Sequence, residues 1–169
     1  SAPAATVAAL FDVPLDSVAC AACVAEIRDA ADRRHRHAFN HCNDCGPRWS
    51  IVASLPYDRE RTSLVDFPLC AACRAEYVNP LDRRYHAQGI SCRRCGPTLV
   101  LTHADGTTVA MGDDAIAAVV AQLRHGAIVA VKGMGGYQLW ACAADAQAVA
   151  RLRARKRRPH KPFAVMVPD

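Results

Sequence analysis

The chain has 169 residues, of which 51% are hydrophobic and only 6% aromatic, enough for one or two small domains with cores rich in Ala and Val. Charged residues make up 22%, which excludes a wholly disordered chain. No run of about 18 apolar residues occurs, so no membrane-spanning helix is predicted. Residues 1–10 lack the basic start and apolar run of a secretory signal, and we expect a cytoplasmic protein with a linker at 1–19.

The net charge of +5 is concentrated in the last third of the chain. Residues 1–110 hold 12 Lys and Arg against 12 Asp and Glu, whereas residues 111–169 hold nine against four. Most of the excess lies between Arg151 and Lys161. Such a basic run is typical of contact with a phosphate-bearing ligand or a nucleic acid, or of a solvated helix end. The neutral first two-thirds disfavours a general nucleic-acid binder.

Eight of the nine cysteines form four Cys-x-x-Cys pairs that repeat with a period of 50 residues. Eighteen residues separate the first pair from the second, and eighteen separate the third from the fourth. This spacing is typical of zinc sites in which two knuckles each supply two thiolates, leaving no open position for catalysis. We therefore predict two structural zinc ions, with the ligands Cys20, Cys23, Cys42, Cys45, Cys70, Cys73, Cys92 and Cys95.

The spacing leaves the pairing of the knuckles open. Local pairing would join knuckles within one repeat, whereas a cross-braced arrangement would exchange them between repeats. A disulfide framework is disfavoured because the chain lacks an export signal. Histidines between the knuckles are expected to be surface groups or supports for the ligands, because each site already has four cysteines; these are His35, His37, His41 and His86.

Each repeat is predicted to contain a knuckle that opens a short helix, a basic turn, and a second knuckle closed by Gly-Pro. The basic turns carry Arg33-Arg34 and Arg83-Arg84, which we expect to anchor the loop or dock a neighbouring domain rather than bind phosphate. A β-type stretch is predicted after each unit, at 49–55 and 98–102. The predicted boundaries are 20–55 for finger 1, 56–69 for a connector and 70–104 for finger 2.

The last third predicts alternating helices and strands. An amphipathic helix is expected from Ala115 to Leu123, capped by Asp113 or Asp114 and ended by Gly126. A strand at 127–131 then leads into the glycine-rich turn after Lys132, an arrangement typical of phosphate binding, although a plain tight turn explains it equally well. A second helix is predicted from Asp145 to about Arg155, and a strand from Phe163 to Val167.

Specific motifs occur in both parts of the chain: Cys-Gly-Pro-Arg48, Leu55-Pro-Tyr-Asp-Arg59, Arg84-Tyr-His-Ala-Gln88, Lys132-Gly-Met-Gly-Gly-Tyr137 and the run from Leu152 to Met166. From about Cys20 to Met166 the chain resembles, in the same order, the hydrogenase maturation carbamoyltransferase family HypF. The resemblance implies an α+β fold class, with tandem four-cysteine zinc-finger units followed by the opening part of a YrdC-like α/β domain at 105–169.

The resemblance also implies a function. HypF-like proteins hydrolyse carbamoyl phosphate, join carbamate to ATP as carbamoyl-adenylate, and pass the carbamoyl group to HypE for the cyanide ligands of nickel–iron hydrogenase. It implies that ATP, a substrate of the parent enzyme, contacts Lys132, Tyr137, Arg155, Lys156, Arg158 and Lys161. No catalytic residue is assigned. We expect this segment alone to show no turnover.

Two departures from the family pattern occur after the glycine-rich turn, where the chain has Gln138 instead of His and Ala141-Cys142 instead of Cys-Asp. Cys142 is expected to be a buried small residue rather than a nucleophile. The expected partners are a HypE-like acceptor protein, carbamoyl phosphate and ATP, without a membrane. The alternative function is a tandem zinc-ribbon module that binds nucleic acid or docks a protein partner.

Overall fold

The computed structural model describes residues 13–133 and 136–167, and the chain divides into two compact units at 1–98 and 99–169. The second unit begins six residues before the predicted start at 105, because the strand that opens at Val100 pairs within that unit. Each unit is described by itself below.

Two eight-residue helices mark the repeat in the first unit: α1 (Ala21–Arg28) and α2 (Ala71–Val78). Each begins directly after the first cysteine of a knuckle, as predicted. The carbonyls of Cys20 and Cys70 accept the first helical main-chain hydrogen bonds at 2.9 Å. Each helix therefore starts at a predicted metal ligand and carries the next ligand, one turn on, at its inner face.

The predicted β-type stretch at 49–55 is wrong. Residues Trp49–Ile51 form a short 3₁₀-helix, and only Val52 makes an isolated bridge, to Thr62. The Asp16 carboxylate causes this turn, because it accepts the main-chain N–H groups of Arg48 and Ser50 at 2.6 and 3.1 Å. Asp16 belongs to the predicted linker, so part of that segment packs on finger 1.

The connector is held on finger 2 by a buried cation. Arg59, in the 3₁₀-helix Arg59–Arg61, is 9% exposed. Its guanidinium donates to the carbonyls of Gln88, Ile90 and Phe67 at 2.7, 2.9 and 2.6 Å. Three carbonyl acceptors bind three of the five N–H donors of this buried group, so the connector is a fixed part of the first unit rather than a loose tether.

The second unit contains two antiparallel hairpins, each followed by a helix. In chain order its elements are β1 (Val100–Thr102), β2 (Thr108–Met111), α3 (Gly112–Arg124), β3 (Val129–Gly133), β4 (Gly136–Trp140) and α4 (Ala146–Lys156). The α3 helix packs on β1, β2 and β3. The strand predicted at 98–102, the strand before Lys132 and both predicted helices are thus present, with boundaries that differ by a few residues.

Two predictions for the second unit are corrected. The α3 helix is preceded by Met111 at its N-cap, so Asp113 and Asp114 lie in its first turn instead of capping it. Gly126, with φ +79°, ends the helix as predicted. Residues 163–167 do not form a strand, because no described residue pairs with them. A strand requires a hydrogen-bonded neighbour, which local sequence alone does not supply.

The second unit buries few side chains: Ala115, Ala148 and Leu152 are the apolar residues described as buried there. Large apolar side chains such as Met111, Tyr137 and Met166 are exposed. In the part of the chain that the structure describes, no helix is long and apolar enough to cross a membrane.

The N-cap of α4 provides a first test. The Asp145 carboxylate accepts the N–H groups of Gln147 and Ala148 at 2.9 and 3.0 Å. We expect Asp145→Ala to destabilise α4 by about 1 kcal/mol and to speed amide exchange at Gln147 and Ala148. Asp114→Ala, which removes an acidic residue that caps nothing, is the control and should leave both rates unchanged. Equal exchange in the two variants would contradict this assignment of the cap.

Candidate metal centres

The first four cysteines of the repeat form one cluster. Cluster 1 consists of Cys20, Cys23, Cys42 and Cys45, whose sulfur atoms all lie within 4.8 Å of one another. The sulfur of Cys20 lies 3.8 Å from that of Cys42, and the sulfur of Cys45 lies 3.5 Å from that of Cys23. Helix α1 positions one knuckle, and the turn at 42–45 positions the other.

The second four cysteines repeat this arrangement. Cluster 2 consists of Cys70, Cys73, Cys92 and Cys95, again with all sulfur atoms within 4.8 Å. The sulfur of Cys92 lies 3.8 Å from that of Cys70 and 3.7 Å from that of Cys95. Among the described residues, clusters 1 and 2 are the groups able to hold a metal ion, and neither includes a histidine.

The sulfur separations fit a tetrahedral metal centre. A zinc–sulfur bond of about 2.3 Å in a regular tetrahedron places the sulfur atoms about 3.8 Å apart. A disulfide would require about 2.05 Å, and all nine cysteines are free. The knuckles are therefore paired locally and not cross-braced, because all four thiols of each cluster come from the same repeat.

The second knuckle of finger 1 requires a glycine. Gly46 has φ +91°, and a Cβ there would lie 2.3 Å from the Cβ of His41. The main-chain groups of Gly46 exchange two 3.1 Å hydrogen bonds with those of Ser17. The close approach of His41 and the left-handed conformation together explain why a glycine directly follows Cys45.

Finger 2 supplies an arginine pair to cluster 1. Arg83 donates to the sulfur of Cys23 at 3.2 Å, and its guanidinium lies 2.6 Å from the Glu26 carboxylate. Arg84, 3% exposed, also pairs with Glu26 and donates to the carbonyl of His41 at 3.2 Å. Both arginines therefore contact finger 1 beside its thiols.

Finger 1 makes the equivalent contacts with cluster 2. Arg33 donates to the sulfur of Cys73 at 3.1 Å, and its guanidinium lies 2.6 Å from the Glu76 carboxylate. Arg34, 2% exposed, pairs with Glu76 and donates to the carbonyl of Ser91 at 2.9 Å. The two basic turns thus anchor the fingers to each other. The sequence predicted an anchoring role for these arginines, and the structure shows that their partner is the opposite finger.

These contacts alter the ionisation of the groups involved. Burial works to raise the pKa of Glu26, but hydrogen bonds from Arg84 and Arg83 outweigh it and lower the pKa to about 2. Burial raises the pKa of the Cys23 and Cys73 thiols to about 12, and an arginine from the opposite finger works against each rise. A metal ion would reverse the effect of burial, because a coordinating thiol is deprotonated.

Two of the histidines, His37 and His41, are not the surface groups or ligand supports that the sequence predicted. His37 and His41 are each 4% exposed. The ring of His37 shares a 2.9 Å hydrogen bond with the hydroxyl of Ser91 in the other finger, and His41 fills the space beside Gly46 and Gly89. Both histidines pack between the fingers, whereas His35 is half-buried and His86 exposed.

Sequence reasoning missed the acidic partners, Glu26 and Glu76. Both were visible as part of the repeat, since Cys20-Ala-Ala-Cys-Val-Ala-Glu26 returns as Cys70-Ala-Ala-Cys-Arg-Ala-Glu76. A glutamate and an arginine pair that recur with the same 50-residue period were the available signal. The sequence did not indicate that each glutamate pairs across the repeat instead of within it.

The candidate nucleotide residues lie in the second unit. Lys132 on β3 is paired in register with Tyr137 on β4, and both side chains are exposed. The turn between them, residues 134–135, lies outside the described residues. Exposed Arg155 and Lys156 lie in the last turn of α4.

Two more of the candidate residues follow α4. Arg158 donates to the carbonyl of Pro162 at 2.9 Å and lies over the ring of Phe163, and Lys161 is exposed. Cys142 is half-buried after β4.

Comparison with known proteins identifies the class of chain first. Residues 19–52 and 69–102 each match the HypF finger, and residues 121–169 match the Sua5/YciO/YrdC family, whose description is telomere recombination. The chain is therefore a tandem zinc-finger unit joined to a YrdC-like segment. With its sequence and structural relatives, this order of parts shows that the chain belongs to the HypF family.

The relatives are carbamoyltransferases. The chain is 59% identical to Carbamoyltransferase HypF2 of Cupriavidus necator over 152 residues, covering 90% of this chain and 19% of the relative. It is 54% identical to Carbamoyltransferase HypF of Synechocystis, covering 89% of this chain and 20% of the relative. The chain thus spans about a fifth of the length of these relatives.

Solved structures agree over most of the chain. A full-length HypF crystallised in a phosphate- and nucleotide-bound form matches with a TM-score of 0.80 and 44% identity, covering 93% of this chain and 20% of the other. The HypF of T. kodakarensis matches with a TM-score of 0.81 and 41% identity, covering 90% and 20%.

Metal removal provides a second test. Tetrathiolate zinc contributes about 10–16 kcal/mol of apparent binding free energy per site at neutral pH. We expect a strong chelator to abolish amide protection across residues 20–98, with little change in the hairpins of the second unit. Hydrogen exchange with mass spectrometry measures both regions in one experiment, and added zinc should restore protection. Full protection after complete chelation would contradict a metal-dependent fold.

Acid provides a third test, through His37. Burial lowers the pKa of His37 to about 4 from 6.5, so between these values the unfolded chain binds a proton that the folded chain excludes. Lowering the pH from 7 to 5 should therefore cost about 2 kcal/mol of unfolding free energy through this residue. Denaturant titrations at pH 7 and pH 5 should show that His37→Gln loses less unfolding free energy than the unchanged chain. The control His103→Gln, at an exposed site, should lose as much as the unchanged chain. Equal losses in all three chains would contradict this assignment.

Proposed function

We propose that this chain is the zinc-finger and nucleotide-contacting region of an ATP-dependent carbamoyltransferase, and that clusters 1 and 2 each bind one structural zinc ion. The sulfur separations of 3.5–3.9 Å support the metal assignment, because they match a tetrahedron of thiolates. Four protein ligands at each ion leave no position for water, so the metal stabilises the fold and takes no part in the chemistry.

The reaction proposed for the full-length protein is the one that the family resemblance implies. Carbamoyl phosphate is hydrolysed to carbamate and phosphate, and carbamate then attacks the α-phosphate of ATP to give carbamoyl-adenylate and pyrophosphate. The carbamoyl group passes to a cysteine thiolate of a HypE-like acceptor, and AMP leaves. Support comes from the relatives, which are carbamoyltransferases, and from a full-length HypF crystallised in a phosphate- and nucleotide-bound form.

The second unit offers the charge that a triphosphate needs. Lys132 lies on β3 beside an aromatic partner, Tyr137, and both are exposed to a ligand. Arg155 and Lys156 lie in the last turn of α4, and Arg158 and Lys161 follow the helix. We propose that the five basic residues neutralise the triphosphate and the charge that develops as pyrophosphate leaves, a role of positioning and electrostatic stabilisation, and that Tyr137 contacts the nucleotide.

The alternative of nucleic-acid binding by the fingers is disfavoured by their charges. Arg33 and Arg34 are paired with Glu76, and Arg83 and Arg84 with Glu26. Guanidiniums held against carboxylates and thiols do not offer free cations to a phosphate backbone. Salt-dependent binding of duplex DNA that persists after removal of residues 111–169 would revive this alternative.

A fourth test addresses the nucleotide role. We expect Lys132→Ala in the full-length protein to lower carbamoyl-phosphate-dependent exchange of pyrophosphate into ATP by about 10²-fold, because the variant loses one charge from the transition state. Arg124→Ala, which removes an exposed cation of α3, is the control and should retain the exchange.

Each result has a clear consequence. Exchange that persists undiminished in Lys132→Ala would remove this lysine from the site. No exchange in the unchanged full-length protein would overturn the proposed adenylate chemistry. Steady-state carbamoyl transfer by the 169-residue segment alone would contradict its assignment as a region without independent turnover.

A further inference from the structure

The two metal clusters are each surrounded by residues of the opposite finger. Arg33, in finger 1, donates to the sulfur of Cys73 at 3.1 Å in finger 2. Arg83, in finger 2, donates to the sulfur of Cys23 at 3.2 Å and to that of Cys20 at 3.8 Å in finger 1. The exchange is reciprocal and follows the 50-residue repeat.

Hydrogen bonds from arginines to main-chain carbonyls connect the two fingers in the same reciprocal way. The Nε groups of Arg34 and Arg84 donate to the carbonyls of Ser91 and His41 at 2.9 and 3.2 Å. Each of these carbonyls belongs to the residue directly before the first cysteine of a second knuckle. The arginines of one finger therefore fix the backbone that presents ligands in the other finger.

We propose that each finger completes the metal centre of the other, so that the two zinc ions bind cooperatively. This inference rests on the proposed zinc binding by clusters 1 and 2. The first arginine pair (Arg33, Arg34) serves cluster 2, and the second arginine pair (Arg83, Arg84) serves cluster 1.

Charge explains why the arginine pair from the opposite finger matters for metal binding. A zinc ion with four thiolates carries two net negative charges, and the opposite arginine pair supplies two positive charges beside it. Hydrogen bonds from N–H groups to the sulfurs stabilise thiolate over thiol, which is the form that binds metal. Glu26 and Glu76 hold the guanidiniums in position, since each carboxylate pairs with both arginines of the opposite finger.

The coupling follows from this geometry. When one site is empty and its finger is disordered, the arginine pair on that finger no longer reaches the other cluster. Binding of the first ion orders both the finger and its arginines, so the second ion meets a prepared site. Loss of such groups around a metal site lowers affinity by about 10–100-fold.

The test reads the coupling between the two sites, which acts equally on both. Arg33→Met removes a contact that forms only when both fingers are ordered, so we expect it to weaken binding of the second zinc ion by about 10–100-fold, whichever cluster fills last. Arg83→Met should have the same effect. Each whole chain is held in zinc buffers of stepped free concentration and alkylated with N-ethylmaleimide, and the labelled cysteines of each cluster are quantified by peptide mass spectrometry.

Two matched controls lie on the helices of the same two fingers. Arg28 on α1 and Arg74 on α2 are exposed arginines, and their change to Met removes the same charge from each finger. Both controls should retain the protection curves of the unchanged chain. In Arg33→Met and Arg83→Met we expect singly loaded molecules, counted by native mass spectrometry, to accumulate. A variant that only loosened one finger would weaken that finger's own cluster and leave the coupling intact, so zinc loss without an increase in singly loaded molecules would overturn the proposal.

A second measurement needs no variant. Native mass spectrometry of the unchanged chain with one equivalent of zinc counts the empty, singly and doubly loaded forms. Cooperative binding should hold the singly loaded fraction well below about one half, the value for two equal independent sites. A fraction at or above that value would overturn the coupling alone, whereas failure to bind two zinc ions at any concentration would overturn the proposed metal sites themselves.

Discussion

The contact on which the first unit depends is the pairing of each arginine pair with a glutamate and a thiol of the opposite finger. A finger of this size buries little apolar surface, and in finger 1 the buried cluster consists almost wholly of cysteines. Hydrophobic burial therefore supplies little stabilisation. The thiols, the metal proposed to bind them and the arginines beside them take the place of a core, which explains why Arg34 and Arg84 are buried.

Arginine suits this role better than lysine. Arg34 bonds a carboxylate, a carbonyl and a thiol of finger 2, and a planar guanidinium with five fixed donors can serve three such acceptors. Asp32 holds the turn by accepting the main-chain N–H of Arg34 at 2.6 Å, and Asp82 accepts that of Arg84 at 2.8 Å. The recurrence of Asp-Arg-Arg in both repeats thus has a local cause, the turn, and a long-range cause, the exchange between fingers.

The sequence predicted what depends on local spacing. The two Cys-x-x-Cys sets, helices α1 and α2 and the start of α4 at Asp145 each follow from neighbours along the chain. The failures depend on distant partners. Asp16 holds the 3₁₀-helix at 49–51 through Ser50, 34 residues away, and His37 and His41 are buried by the opposite finger. No local pattern reports such contacts, although the recurring glutamates of the two repeats held a usable signal.

The two fingers differ in their apolar packing, and this difference is consistent with the reciprocal arginine contacts between them. At position 40 an asparagine donates to Glu26 and to the carbonyl of Cys23, whereas the equivalent Ile90 is fully buried with Ala87 beside the thiols of cluster 2. Finger 2 therefore has apolar packing that finger 1 lacks. Because the second arginine pair belongs to finger 2, the finger with the larger apolar core is the one that supports cluster 1. If the proposed metals bind, finger 1 should depend on its ion more than finger 2 does, and finger 1 is the one whose cluster is supported by the finger with the larger apolar core.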